Sequence, residues 1–145
     1  KKRVEKLAKT INAPDFYIPT FGYSEQSGLP HIEIIGKTFH YVVCERGSEF
    51  SRKSTKDEKE LLYWIFQSIT FSMAYDLEKK NRKKNEDFRV QLFQIQEDLI
   101  SIIDKEYALI LKDKHEELLK KLDEISGEQG KLELYFKKRD SEDQK

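Results

Sequence analysis

Residues 31–45 read HIEIIGKTFHYVVCE, and this stretch decides the fold. Residues that favour strands, β-branched and aromatic, lie on both sides of Gly36-Lys37, a pair that suits a two-residue turn with Gly first. We therefore predict an antiparallel hairpin. With that turn, Ile34 lies opposite Phe39 and Ile32 lies opposite Tyr41, because directly opposed residues share a face.

The register gives the two faces of the hairpin different roles. One face is apolar and is predicted to be buried; it carries Ile32, Ile34, Phe39, Tyr41 and Val43. The other face pairs Glu33 with His40 and His31 with Val42, a mixture that tolerates solvent. A turn at Glu45-Arg46-Gly47 follows, and residues 49–54 are a possible third strand.

Helices are predicted on both sides of this region. Val4, Leu7, Ala8 and Ile11 form one apolar stripe of a short helix, which ends before Pro14. The stretch that follows, residues 15–30, mixes Pro and Gly with aromatic residues and indicates an extended loop.

The longest helix is predicted after the hairpin. Thr55 and Glu58 have the spacing of a capping box, so we expect a long helix from Thr55 to about Lys80. Its aromatic residues Tyr63, Trp64 and Phe66 are predicted to pack against the hairpin.

Two further helices are expected toward the C-terminus. Asn85 is predicted to cap the first and Asp104 the second, although the pattern leaves open whether the two are separate. After Gly130, Leu132, Leu134 and Phe136 alternate with other residues, which suits an added edge strand, a short helix or a disordered tail.

Together these elements predict an α+β fold. A small antiparallel sheet, consisting of the hairpin and a possible third strand, packs on three to four helices, of which one is long and central. Residues 1–125 are expected to form a single domain, and residues 126–145 a C-terminal extension of open structure. Because such a sheet has free edges, a homodimer is possible.

Composition narrows the class of protein. The chain has 145 residues with 27 basic and 27 acidic side chains, so net charge attracts it to neither nucleic acid nor an anionic membrane. Seven Tyr, nine Phe and one Trp supply the apolar surface that disordered chains lack. The single cysteine, Cys44, cannot form an internal disulfide, and no apolar run is long enough for an export signal or a membrane anchor. A soluble, cytoplasmic protein is expected.

No catalytic, metal or cofactor site is predicted. His40 and Cys44 alone share a strand face, and two ligands do not make a zinc site. The glycines form neither a phosphate-binding loop nor a dinucleotide fingerprint. The basic run from Lys79 to Lys84 complements the negative end of a helix dipole; the alternative is contact with nucleic-acid phosphates.

Several ordered blocks resemble the immunity protein 63 family of bacterial polymorphic-toxin systems. The blocks are Pro30-His31-Ile32-Glu33, Phe39-His40-Tyr41-Val42-Val43, Glu45-Arg46-Gly47, Leu61-Leu62-Tyr63-Trp64-Ile65-Phe66, Thr70-Phe71-Ser72-Met73-Ala74 and Asp87-Phe88-Arg89. The resemblance covers roughly residues 4–122. The sequence departs from the family pattern at Lys105 and Tyr107, where Pro and Trp are expected.

The resemblance implies a non-enzymatic protein that binds and occludes a cognate toxin domain. Its implied partner is that toxin, with no membrane and, in the main hypothesis, no nucleic acid. Glu45, Arg46 and Glu49 are the candidate residues, either as structural ion pairs or as the surface that contacts the toxin. The alternative function is a non-catalytic interaction or regulatory module, one that could bind nucleic acid through the run from Lys79 to Lys84.

Overall fold

A computed structural model describes residues 1–24, 26–82 and 87–126. Over these residues it contains four α-helices and a 3₁₀ turn at Asp15–Tyr17. The helices are α1 (Lys2–Thr10), α2 (Glu58–Lys80), α3 (Phe88–Ile103) and α4 (Lys105–Ser126). None of the described helices is both long and apolar enough to cross a membrane.

The sheet has four strands in the order β1-β2-β3-β4. They are β1 (Thr20–Phe21), β2 (Ser27–Ile35), β3 (Thr38–Glu45) and β4 (Ser48–Thr55). The antiparallel β2–β3 hairpin and the third strand are confirmed, and the third strand is one residue longer at each end than predicted. The α+β fold class is therefore confirmed.

The stretch predicted as an extended loop is more structured than expected. It contains the 3₁₀ turn, strand β1 and the beginning of β2. Because β1 pairs with β2 in parallel, the sheet is mixed, and the prediction of a purely antiparallel sheet was wrong. A two-residue strand leaves almost no periodic signal in a sequence, since its pairing depends on a distant partner.

The predicted hairpin register is confirmed, but the predicted burial is only partly correct. Ile32 lies opposite Tyr41, and both are buried, with exposed fractions of 2% and 7%. Ile34 lies opposite Phe39 as expected, yet it is 64% exposed. Ile34 is the second residue before the turn, at the end of the ribbon, where the described chain leaves it uncovered.

The face that was expected to tolerate solvent is buried at its centre. Val42 has no exposed surface, and His31 opposite it is 3% exposed. Arg52 on β4 lies opposite Val42 on the other side and donates to Glu33 on β2 at 2.9 Å. Its side chain therefore crosses β3 on the face that carries Val42.

Helix α2 lies between the sheet and α3 and supplies more of the described core than any other element. Its fully or nearly fully buried apolar residues are Leu61, Leu62, Ile65, Phe66, Ile69 and Ala74. Trp64 packs edge-on against Tyr41 with 6.3 Å between ring centroids, which confirms its predicted contact with the hairpin. Tyr63 instead packs against Tyr107 of α4 at 5.5 Å, so the prediction was wrong for this residue.

The cap of α2 differs from the predicted one. Asp57, not Thr55, caps α2, and its carboxylate accepts from the Lys59 N–H at 3.0 Å. Thr55 cannot start a helix because it is the last residue of β4 and pairs with Phe39. Helix α3 is capped by Asp87, whose carboxylate accepts from the Arg89 N–H.

The predicted cap of the last helix is correct. Asp104 accepts from the Glu106 N–H at 2.8 Å, so α3 and α4 are separate helices. Asn85 and the residues that follow Ser126 lie outside the described residues, and so do the predictions made for them.

The chain divides into two compact units, residues 1–108 and the chain from Leu109 onward. The sheet, the first three helices and the first turn of α4 belong to the first unit. The assignment of residues 1–125 to one domain stays a prediction.

Candidate functional site

The turn between β3 and β4 has an unusual residue at its first position. Arg46 and Gly47 form the two-residue connection, and both have positive φ angles, of 51° and 80°. This turn normally takes Asn-Gly or Gly-Gly, because Cβ approaches a backbone carbonyl in the left-handed region, a strain that Gly lacks and Asn tolerates. Arg46 nevertheless occupies that position, and its side chain is exposed.

Gln26 holds this turn from the neighbouring loop. Its side-chain Oε1 accepts from the Gly47 N–H at 2.6 Å, and its backbone carbonyl accepts from the Arg46 N–H at 3.3 Å. Gln26 itself has a φ of 56°. Two bonds from one residue therefore fix the orientation from which Arg46 projects.

A row of four charged or titratable side chains, here called the polar chain, lies across the outer face of the sheet. It consists of His31, Glu33, Arg52 and Glu49. His31 Nε2 lies 3.1 Å from Glu33 Oε1, Arg52 Nη1 donates to Glu33 at 2.9 Å, and Arg52 Nη2 donates to Glu49 at 2.7 Å. The row joins β2 to β4 across β3 and ends near the β3–β4 turn.

The charges of the polar chain support one another. The hydrogen bond from His31, followed by that from Arg52, holds the pKa of Glu33 below its usual value. The hydrogen bond from Arg52 likewise lowers the pKa of Glu49, and the two carboxylates raise the pKa of Arg52. Because the side chains of Glu33, Arg52 and Glu49 are partly exposed, solvent screens the attraction between them and each of these pairs stabilises the fold only modestly.

The three candidate residues from the sequence lie at this end of the sheet, in different settings. Glu49 is ion-paired with Arg52 in the polar chain. Glu45 is half-buried, with a side-chain oxygen close to Gly28. Within the described part of the chain, no ion pair involves Glu45 or Arg46. Whether any of the three contacts a partner stays a prediction.

Phe50 is a neighbouring residue that the sequence did not single out. It lies on β4 at the point where the β3–β4 register shifts, between Ser51, which pairs with Val43, and Glu49, which pairs with Cys44. Its exposed fraction is 67%. A lone aromatic residue in an otherwise polar strand is the only sequence signal for it.

The described residues form no metal site, and one cation of the basic run from Lys79 to Lys84 is paired with a carboxylate. Among the described residues, no group of three His, Cys, Asp or Glu side chains is placed to hold a metal ion. His40 Nδ1 lies 2.7 Å from Ser54 Oγ. In the basic run, Arg82 forms a bidentate pair with the buried Glu78, with two distances of 3.0 Å, while Lys83 and Lys84 lie outside the described residues.

A protein-family model described as immunity protein 63 matches residues 36–117, more than half of the chain. The chain belongs to this family. The match begins at the β2–β3 turn and includes β3, the Arg46 turn, β4, α2, α3 and part of α4. Comparisons with curated proteins and with solved structures gave no match. The protein is therefore of the immunity kind. The matched part includes the Arg46 turn, Glu49 and Arg52, whereas Gln26, His31 and Glu33 precede it.

Proposed function

We propose that this immunity protein binds a cognate toxin domain and neutralises it by covering its active site or the channel that leads there. The surface proposed for contact is the β3–β4 turn, with Arg46 at its tip. One observation carries this choice: Arg46 occupies a backbone conformation that disfavours its side chain, and the described structure gives it no ion pair in return.

The strain at Arg46 supports a role outside the fold. A non-glycine residue in the left-handed region loses roughly 1–2 kcal/mol relative to a residue that tolerates it. An exposed Arg without an ion pair makes few contacts within the protein that could offset this free-energy cost. Strained residues of this kind concentrate at binding sites, where the surrounding structure holds them in place.

The clamp by Gln26 supports the same role. A contact residue on a rigid turn loses less conformational entropy on binding than one on a mobile loop. The two bonds from Gln26 prepare the turn in this way before any partner arrives. Arg46 and the exposed Phe50 are also of the types that dominate binding energy at protein interfaces.

Neutralisation of this kind needs no chemistry from the immunity protein. The polar chain and the candidate residues are then a binding surface, and Glu45 and Glu49 add charge at its rim, which speeds association more than it strengthens binding. We expect the protein to act in the cytoplasm of the cell that makes the toxin.

The proposal is tested by co-expression. The C-terminal domain of the neighbouring gene's product is expressed in a bacterial host with and without this protein, and growth is followed by co-purification. Rescue of growth together with a stable complex is the expected result. Growth arrest that this protein does not relieve, with no complex, would contradict the proposal and favour the interaction-module alternative.

A further inference from the structure

Strand β4 is the open edge of the described sheet. It is the last strand in the sheet order, and it is hydrogen-bonded to β3 alone among the described strands. Seven of its eight residues are exposed. The other edge, β1, has only two residues. An edge of this length presents a row of backbone N–H and C=O groups to which another strand can pair.

The usual protection of an edge is weak on β4. Proteins guard edges with charged side chains and bulges, and here the bulge lies at Phe50, so the five residues from Ser51 to Thr55 pair regularly with β3. Arg52 is drawn onto one face by Glu33 and Glu49. Lys53 lies over the other face, 5.2 Å from the Trp64 ring and 5.6 Å from Tyr41.

A second copy of this chain is a poor occupant of the edge. In a symmetric antiparallel pair, a register centred on Arg52 or Lys53 places like charges directly opposite each other, which is destabilising. A register centred on Ser54 places Arg52 opposite Lys56. A register centred on Ser51 places Arg52 against the bulge of the other copy.

The charge of the edge indicates a different occupant. Arg52, Lys53 and Lys56 are the charged residues of residues 51–56, and the other three are Ser or Thr. An extended segment with acidic side chains is complementary to this stretch. The Arg46 turn leads directly into β4, so a partner held at the turn is placed beside the edge.

We propose that the toxin domain adds an acidic strand to the open edge of β4, so that backbone hydrogen bonds supply affinity and the turn supplies a side-chain anchor. This inference rests on the proposed function and specifies how the partner binds. Since strand addition uses one side of the backbone only, every second amide of Ser51 to Thr55 is the group that bonds to the partner.

Residue-resolved amide hydrogen exchange tests this directly. The full chain is measured free and in complex with the co-purified C-terminal domain from the neighbouring gene, carrying an inactivating mutation. Alternate amides between Ser51 and Thr55 should exchange at least about tenfold more slowly in the complex. A complex that leaves these amides unchanged overturns strand addition and leaves the proposed function standing. The absence of any complex overturns both.

A charge variant supplies an independent test. Lys53→Glu places an acidic residue opposite the acidic strand, so affinity should fall about tenfold or more, chiefly through slower association. The matched control is Lys6→Glu on α1, an exposed charge reversal away from the sheet, which should bind as the wild type does. Thermal unfolding of both variants establishes that they are folded. Equal affinity of the two variants for the toxin domain contradicts the proposal. So does protection of the edge amides in the free protein, if that protection increases with protein concentration.

Discussion

Arg52 on β4 reaches across β3 to Glu33 on β2, with 2.9 Å between Nη1 and Oε2. Val42 lies beneath this bridge and has no exposed surface. A charged side chain therefore crosses the outer face of the sheet, and its guanidinium pairs with Glu33 on one side and Glu49 on the other. The same ion pair links β4 to β2 and so restrains the end of the sheet that carries the candidate surface.

The bridge makes stability depend on pH through Glu33. The pKa of this carboxyl is lowered in the folded protein, by His31 first and Arg52 second. Its contribution is therefore complete above the unfolded pKa of about 4.3 and is lost as the pH falls through the lower, folded value. In urea unfolding, wild type should exceed Glu33→Gln in stability at pH 6, and this gap should narrow as the pH is lowered toward 3.

The control for this prediction is Glu117→Gln. Glu117 is exposed and forms no ion pair among the described residues. This variant removes the same charge away from the bridge, so it reports the general effect of losing one carboxylate at each pH. A gap for Glu33→Gln that is equal at pH 6 and pH 3 would show that the bridge does not lower the pKa of this group.

Tyr107 should stabilise the contact between the beginnings of α2 and α4. Its hydroxyl donates to the Lys59 carbonyl at 2.6 Å, and the residue is 4% exposed. Tyr107→Phe removes this bond, so we expect a loss of about 0.5–1.5 kcal/mol in the free energy of unfolding. The matched control is Tyr23→Phe, since Tyr23 is 60% exposed, and its stability should not change. Equal stability of the two variants would argue against the bond.

The hairpin could be predicted from the sequence because its signal is local. The alternation of residues and the position of Gly36 set the register between Ile32 and Tyr41, and the structure has the same register. Burial depends on elements that arrive from elsewhere in the chain. The residues around Val42 do not indicate that it will be buried. The residues around Ile34 do not indicate that it will stay exposed.

The candidate site could also be predicted from the sequence only in part. Arg46-Gly47 was identifiable as a turn from its residues, but its φ angles and the clamp by Gln26 needed the structure. Phe50 was missed because a bulge beside the β3–β4 turn sets its direction, and the residue pattern gives no sign of that bulge. The cap at Thr55 was predicted wrongly because its spacing is equally compatible with the end of a strand.

The clamp at Gln26 should control the order of the turn. Gln26→Gly removes the side-chain bond to the Gly47 N–H and retains a residue that accepts a positive φ. We expect the Gly47 amide to exchange about tenfold faster and toxin affinity to fall severalfold, with little change in thermal unfolding. Unchanged exchange at Gly47 would mean that the bond does not order the turn.

Replacing Arg46 by Asn should separate binding from folding. Asn tolerates the left-handed conformation that Arg46 adopts, so the melting temperature of Arg46→Asn should be equal to or above that of wild type. If the Arg46 side chain anchors the toxin domain, affinity should fall by about 30-fold, as measured by calorimetry. Lys37→Asn is the matched control, because Lys37 is the exposed second residue of the other two-residue turn, at the opposite end of β3. This variant should bind normally. A destabilised Arg46→Asn variant would assign Arg46 to the fold, and a stable variant that binds as tightly as wild type would place the toxin contact elsewhere.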